Sequence, residues 1–142
     1  MASRRALQVV LVLLGLFVVG SGAADIALGP AVLPGSPEVV VNVDNHYRFF
    51  ASIWLSLGVV LLWTVPRVES ATGPVRGVCA AVFLGGLARL VSVAAVGVPH
   101  ALLVAFIGIE LVIPPVLVLW QNQVVRSTAR AAAARHLAAR AS

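Results

Sequence analysis

Four stretches of this sequence are each long and apolar enough to cross a lipid bilayer, and no other feature constrains the fold as strongly. A membrane helix needs about 20 mostly apolar residues to span a hydrocarbon core about 30 Å thick. The runs cover about residues 6–24, 49–65, 77–98 and 101–121 of a 142-residue chain. They explain a composition that is 61% hydrophobic and only 11% charged, which leaves too few polar residues to cover the surface of a water-soluble domain. Disorder is excluded by the same excess, because it needs low hydrophobicity. The expected fold class is all-α: an integral membrane four-helix bundle at residues 1–121, followed by a basic Ala/Arg-rich tail at 122–142.

The separators carry turn chemistry. Gly29-Pro30 and Pro34-Gly35 with Pro37 interrupt the first connection, and Pro66 and Gly73-Pro74 the second. The third, Gly97-Val98-Pro99-His100, is so short that spans three and four must form an antiparallel hairpin. Span two is the shortest run, with Tyr47 and Trp63 as interfacial anchors. Charge sets the orientation. Arg4, Arg5, Arg67, Arg76, Arg126, Arg130, Arg135 and Arg140 all lie on one side of the spans, whereas the first loop holds Asp25, Glu38 and Asp44. The positive-inside rule puts both termini in the cytoplasm and the protein in the plasma (inner) membrane as a multi-pass chain. Arg4-Arg5, an apolar run and Ser21-Gly22-Ala23 also resemble a secretory signal. The run is long for a signal core, so a retained first helix is expected. The net charge of +5 has no basic patch with interleaved aromatics, so topology accounts for it and no nucleic acid is expected. Cys79 lies inside an apolar run and reads as a small buried hydrophobe. The tail has strong helical propensity, and its arginines are suited to the anionic inner leaflet.

Two ionisable residues fall deep inside spans, Arg89 in the third and Glu110 in the fourth. Each is about nine residues from the turn at Pro99, so both lie roughly 14 Å below that surface. A lone charge there costs at least about 2.5–3.5 kcal/mol, and an ion pair or a shared polar cavity is therefore expected. Pro114-Pro115 add a second anomaly. They remove the amides that would bond the carbonyls of Glu110 and Leu111, which predicts a broken helix beside the charges. On a helical wheel Arg89 shares its face with Gly85, Gly86, Ser92 and Val93, and Glu110 shares its face with Pro114, Leu117 and Gln121. Arg48, Ser52 and Ser56 form a further polar stripe. A bundle turning these faces together would enclose a narrow polar pocket open to the outside, rimmed by Asp25, Asn45, His46, Arg48 and His100. The alternative is a structural pair that only fixes helix register. No spacing of His, Asp or Glu suits a metal, and no motif points to a cofactor.

At Asn45-His46-Tyr47-Arg48-Phe49-Phe50, followed by Trp54 and Gly58, the chain resembles small bacterial four-helix membrane proteins known as a domain of unknown function, loosely comparable to DoxX-like proteins. The resemblance runs from about Leu7 to Trp120, with the Tyr-Arg-Phe entry to span two, Arg89 and Glu110 in corresponding places. It implies a compact bundle in the plasma membrane and brings no activity with it.

The function these features suggest is binding of a lipid- or quinone-like amphiphile in the intrabundle pocket, as a stand-alone protein or an accessory subunit. Arg48, Arg89, Glu110, Asn45, Tyr47, Ser52 and His100 are the candidate ligand-binding residues. Arg48 and Arg89 would meet an anionic or carbonyl head group, and Glu110 would supply the counter-charge. One alternative is a membrane-embedded acid/base enzyme, an isomerase or hydratase type, with Glu110 and Arg89 as its catalytic residues. The other is a purely structural assembly subunit. The partners implied are membrane lipids, a small apolar or amphiphilic ligand, and a membrane protein partner or a homo-oligomer.

Overall fold

Apolar runs of this length leave the backbone one economical solution, which is to satisfy its own hydrogen bonds within helices. The computed structural model, which describes residues 2–35 and 38–141, takes that solution throughout. Helix α1 spans Ala2–Leu28, α2 spans Val41–Thr64, α3 spans Thr72–Val96 and α4 spans Ala101–Ala141. Short 3-10 turns at Gly29–Val32 and Val65–Arg67 flank α2. There is no strand among the described residues. All four helices are long and apolar enough to cross a membrane, as befits a multi-pass membrane protein.

The helices extend beyond the apolar runs. Helix α2 begins at Val41, eight residues before the apolar run at Phe49. The polar stretch Asn42–Arg48 contains no helix breaker, and the Asp44–Arg48 pair at i, i+4 supports the added turns. Helix α4 does not break at Pro114-Pro115 but passes through them, and it continues past residue 121 to Ala141 without interruption. Loss of two amides is tolerated in a membrane helix when its neighbours hold the backbone in place, and Pro114 is buried against the bundle. No helix-stopping residue separates span four from the tail, so the apolar stretch ends at residue 121 and the helix does not.

Packing is uneven along the bundle axis. Helices α1 and α2 lie together over most of their length because glycines remove the side chains that would hold them apart. A Cβ at Gly22 would meet the Leu55 Cβ at 2.9 Å, and one at Gly58 would meet the Val19 backbone nitrogen at 2.9 Å. Helices α3 and α4 form the second hairpin. The hairpins join through a core of Leu7, Leu11, Leu61, Val68, Val75, Val78, Cys79, Leu117 and Val124. Every one of these residues lies toward the arginine-rich end, where the start of α1, the α2–α3 connection and α4 around Trp120 to Thr128 meet. Toward the opposite, distal end, α3 is exposed at every residue from Leu87 to Val96 except the half-buried Val93. Phe17 and Phe106 still meet across the hairpins at mid-height, with ring centroids 6.3 Å apart.

Candidate functional site

The antiparallel register of α3 and α4 brings Arg89 and Glu110 face to face. Arg89 Nε lies 2.9 Å from Glu110 Oε2. The approach is an ion pair without the alignment of a hydrogen bond, and Oε2 is buried with no hydrogen-bond partner. Gly86 makes the closeness of the helices possible at this level. A Cβ there would come within 3.1 Å of the Glu110 Cβ and 3.0 Å of Leu111 Cδ2. The face that Glu110 shares with Pro114, Leu117 and Gln121 points inward, since all three are buried.

The partners differ in accessibility. The Glu110 side chain keeps 12% of its surface, whereas Arg89 keeps 43%. Glu110 pairs with the guanidinium at Nε, and among the described residues Nη1 and Nη2 make no hydrogen bond. Beside the guanidinium a recess of about 110 Å³ opens between α3 and α4, lined by Arg89, Ser92, Pro99, Leu103 and Ile107. Ser92 follows Arg89 by one turn of α3, and Leu103 and Ile107 are one turn apart on α4, so the recess is a groove between two helices just distal to the ion pair. The hollow along the tail at Ala132, Arg135, His136 and Ala139 is walled by a single helix and encloses no site.

Tyr47 stands on the other hairpin, where its hydroxyl donates to Asp25 Oδ1 at 2.9 Å. The other expected pocket residues are engaged elsewhere. Arg48 grips Asp44 through Nε and Nη2 at 2.8 and 3.1 Å, and its Nη1 donates to the carbonyls of Ile26 and Ala27. These carbonyls belong to the last turn of α1, where a helix runs out of its own donors. Arg48 therefore caps α1. Gly29, at a φ of +66°, passes so close that a Cβ would sit 2.6 Å from Asp44 Oδ1 and 2.7 Å from Arg48 Nη2. The hydroxyls of Ser52 and Ser56 turn back onto carbonyls of their own helix, at Phe49 and Ser52. His100 Nδ1 accepts the Leu102 amide at 3.3 Å, at the start of α4. Asn45 is exposed, and His46 stacks on Phe50. Among the described residues none of these side chains bonds to Arg89 or Glu110. The structure thus joins Arg89 with Glu110, and assigns Tyr47 to Asp25 and Arg48, Ser52 and His100 to helix ends and helix backbone.

Two features of the molecule lie outside the sequence reading. Pro99, Leu103 and Ile107 line the recess as ordinary apolar positions with nothing in their identity to mark them. Glu69 organises the arginine-rich end, paired with Arg4 at 3.2 Å and accepting the Thr128 hydroxyl at 2.8 Å. Its signal was available, since Glu69 is the one acidic residue on the side of the chain that is otherwise basic.

A family model described as Domain of unknown function (DUF4345) matches residues 6–121. The match takes in Arg89, Glu110 and every residue of the recess, and stops where the tail begins. No curated protein and no solved structure matches the chain.

Proposed function

Because the chain belongs to the DUF4345 family, a domain of unknown function, its role has to come from its own residues, and we propose that it is a plasma-membrane protein holding a lipid- or quinone-like amphiphile at Arg89. The observation that carries this proposal is a guanidinium inside a membrane-spanning helix whose Nη groups make no hydrogen bond among the described residues. Glu110 cancels the charge of Arg89 but leaves its Nη donors without a partner. Donors exposed to hydrocarbon are costly, and the oxygen of a head group relieves that cost.

The recess supports the same reading by its size. At about 110 Å³ it is well below the roughly 300 Å³ or more of a pocket for a whole drug-sized molecule. It suits a head group alone, with the chain of the amphiphile lying outside along exposed apolar residues such as Leu90 and Leu102.

Native mass spectrometry of the protein released gently from its own membrane tests this. The wild type is compared with the double variant Arg89→Gln/Glu110→Gln, which removes both charges so that neither is left unpaired. The expected result is a bound small molecule on the wild type that is absent from the variant. A bare wild type, or an adduct that persists in the double variant, refutes the proposal.

A further inference from the structure

Resting on the amphiphile reading, we infer that the head group held at Arg89 is uncharged, a carbonyl oxygen and not an anion. The charges of the distal end decide this. Asp44 and Arg48 cancel in a two-toothed pair, and Arg89 and Glu110 cancel at 2.9 Å. Asp25 remains, bonded by a neutral hydroxyl from Tyr47. Two arginines against three carboxylates leave the distal end with one net negative charge, and Glu38 adds another from the exposed connection before α2. His46 and His100 are exposed, the first stacked on Phe50 and the second bonded at the start of α4.

An anionic head group at the Nη groups would therefore share one guanidinium with Glu110, because the other distal arginine, Arg48, is held by Asp44. Two carboxylates on opposite edges of one guanidinium repel each other, and a membrane interior screens that repulsion weakly. A carbonyl oxygen accepts the same Nη hydrogen bonds and leaves the Arg89–Glu110 pair neutral. The recess between Ser92 and Leu103 also has room for such a group. An acyl ester and a quinone both present this chemistry.

The test uses the full chain in a non-ionic detergent at pH 8 with three probes: methyl palmitate, decylbenzoquinone, and hexadecanesulfonate, which is ionised throughout. Binding of methyl palmitate or of decylbenzoquinone to the wild type is expected, and whichever binds tells an ester from a quinone. Hexadecanesulfonate should bind at least about tenfold more weakly, the scale set by one uncompensated charge nearby at an effective dielectric of about 20. Glu110→Gln should close most of that gap, raising sulfonate affinity about tenfold while changing that of the neutral probe little. That change separates charge from head-group size. If Glu110→Gln is not monodisperse, Asp25→Asn keeps the ion pair and should move sulfonate affinity the same way by a few-fold. Sulfonate binding to the wild type as tightly as a neutral probe, or indifferent to both substitutions, overturns the inference while leaving the amphiphile site standing. Binding of none of the probes in an Arg89-dependent manner overturns the amphiphile reading and this inference with it.

Discussion

At the arginine-rich end, polar side chains tie the helices to one another. Gln8 donates to the Val65 carbonyl, the wholly buried Gln121 to that of Val68, Trp120 to the Ser3 hydroxyl and Arg76 to Asn122. These bonds surround the apolar core that joins the two hairpins. At the distal end the polar bonds stay within a hairpin: Tyr47 to Asp25 and Arg48 to the end of α1 on one side, Arg89 to Glu110 on the other. The contrast shows a bundle clamped at one end and left open at the other, with its membrane-embedded charges in the open half. The openness of that half is what the amphiphile site proposed at Arg89 requires.

The most damaging way to disturb this contrast is to unbalance the open half. Arg89→Leu leaves the Glu110 carboxylate without its partner and should destabilise the fold by about 3 kcal/mol in a denaturant titration of the micelle-bound protein. The double variant Arg89→Leu/Glu110→Leu should regain most of that loss, because no charge is then left alone. Equal damage from the single and double variants would mean that packing, not charge, holds α3 to α4 there.

Next in size is the core of the clamped half. Leu11→Ala empties a fully buried position and should cost about 2 kcal/mol, at the low end for such truncations because lipid removes much of the hydrophobic term. Val96→Ala, at a distal residue that is 86% exposed, should change the same titration hardly at all. A matching loss at both positions would erase the distinction between the ends.

The α1–α2 contact crosses both halves and gives an intermediate effect. Gly58→Ala would push a methyl into the α1 backbone and should cost about 1–2 kcal/mol. Gly20→Ala, on the same hairpin but facing open space, should be neutral or slightly stabilising through helix propensity. The smallest effect is expected for Arg76→Ala, whose bond to Asn122 is exposed. A change within about 0.5 kcal/mol is typical of such a surface position, and a larger one would make this bond part of the clamp.

Hydropathy and charge alone were enough for the number of helices, the hairpin of α3 and α4 and the level at which Arg89 meets Glu110. Each depends on quantities local to the chain: the rise per residue, the length of an apolar run, the shortness of a four-residue turn. Helix boundaries were less legible, because a helix stops at a breaker or a cap while hydropathy stops where lipid does. That difference moved the start of α2 from Phe49 to Val41 and fused span four with the tail. The proline pair misled for a related reason. The missing amides are read from the sequence, but whether the helix breaks depends on the neighbours packed around Pro114.

The roles of Arg48, Ser52 and His100 were out of reach of any periodicity. A wheel places Arg48 and Ser52 on one polar face, yet what Arg48 bonds depends on where α1 ends. The carbonyls of Ile26 and Ala27 lie more than twenty residues away in sequence and become its neighbours only when the first hairpin closes. The sequence by itself determined a four-helix membrane chain with two opposite charges at one depth, because spacing along a helix fixes depth. Only the tertiary structure decided that Glu110 would be covered and Arg89 left half open, because burial depends on how the two hairpins diverge.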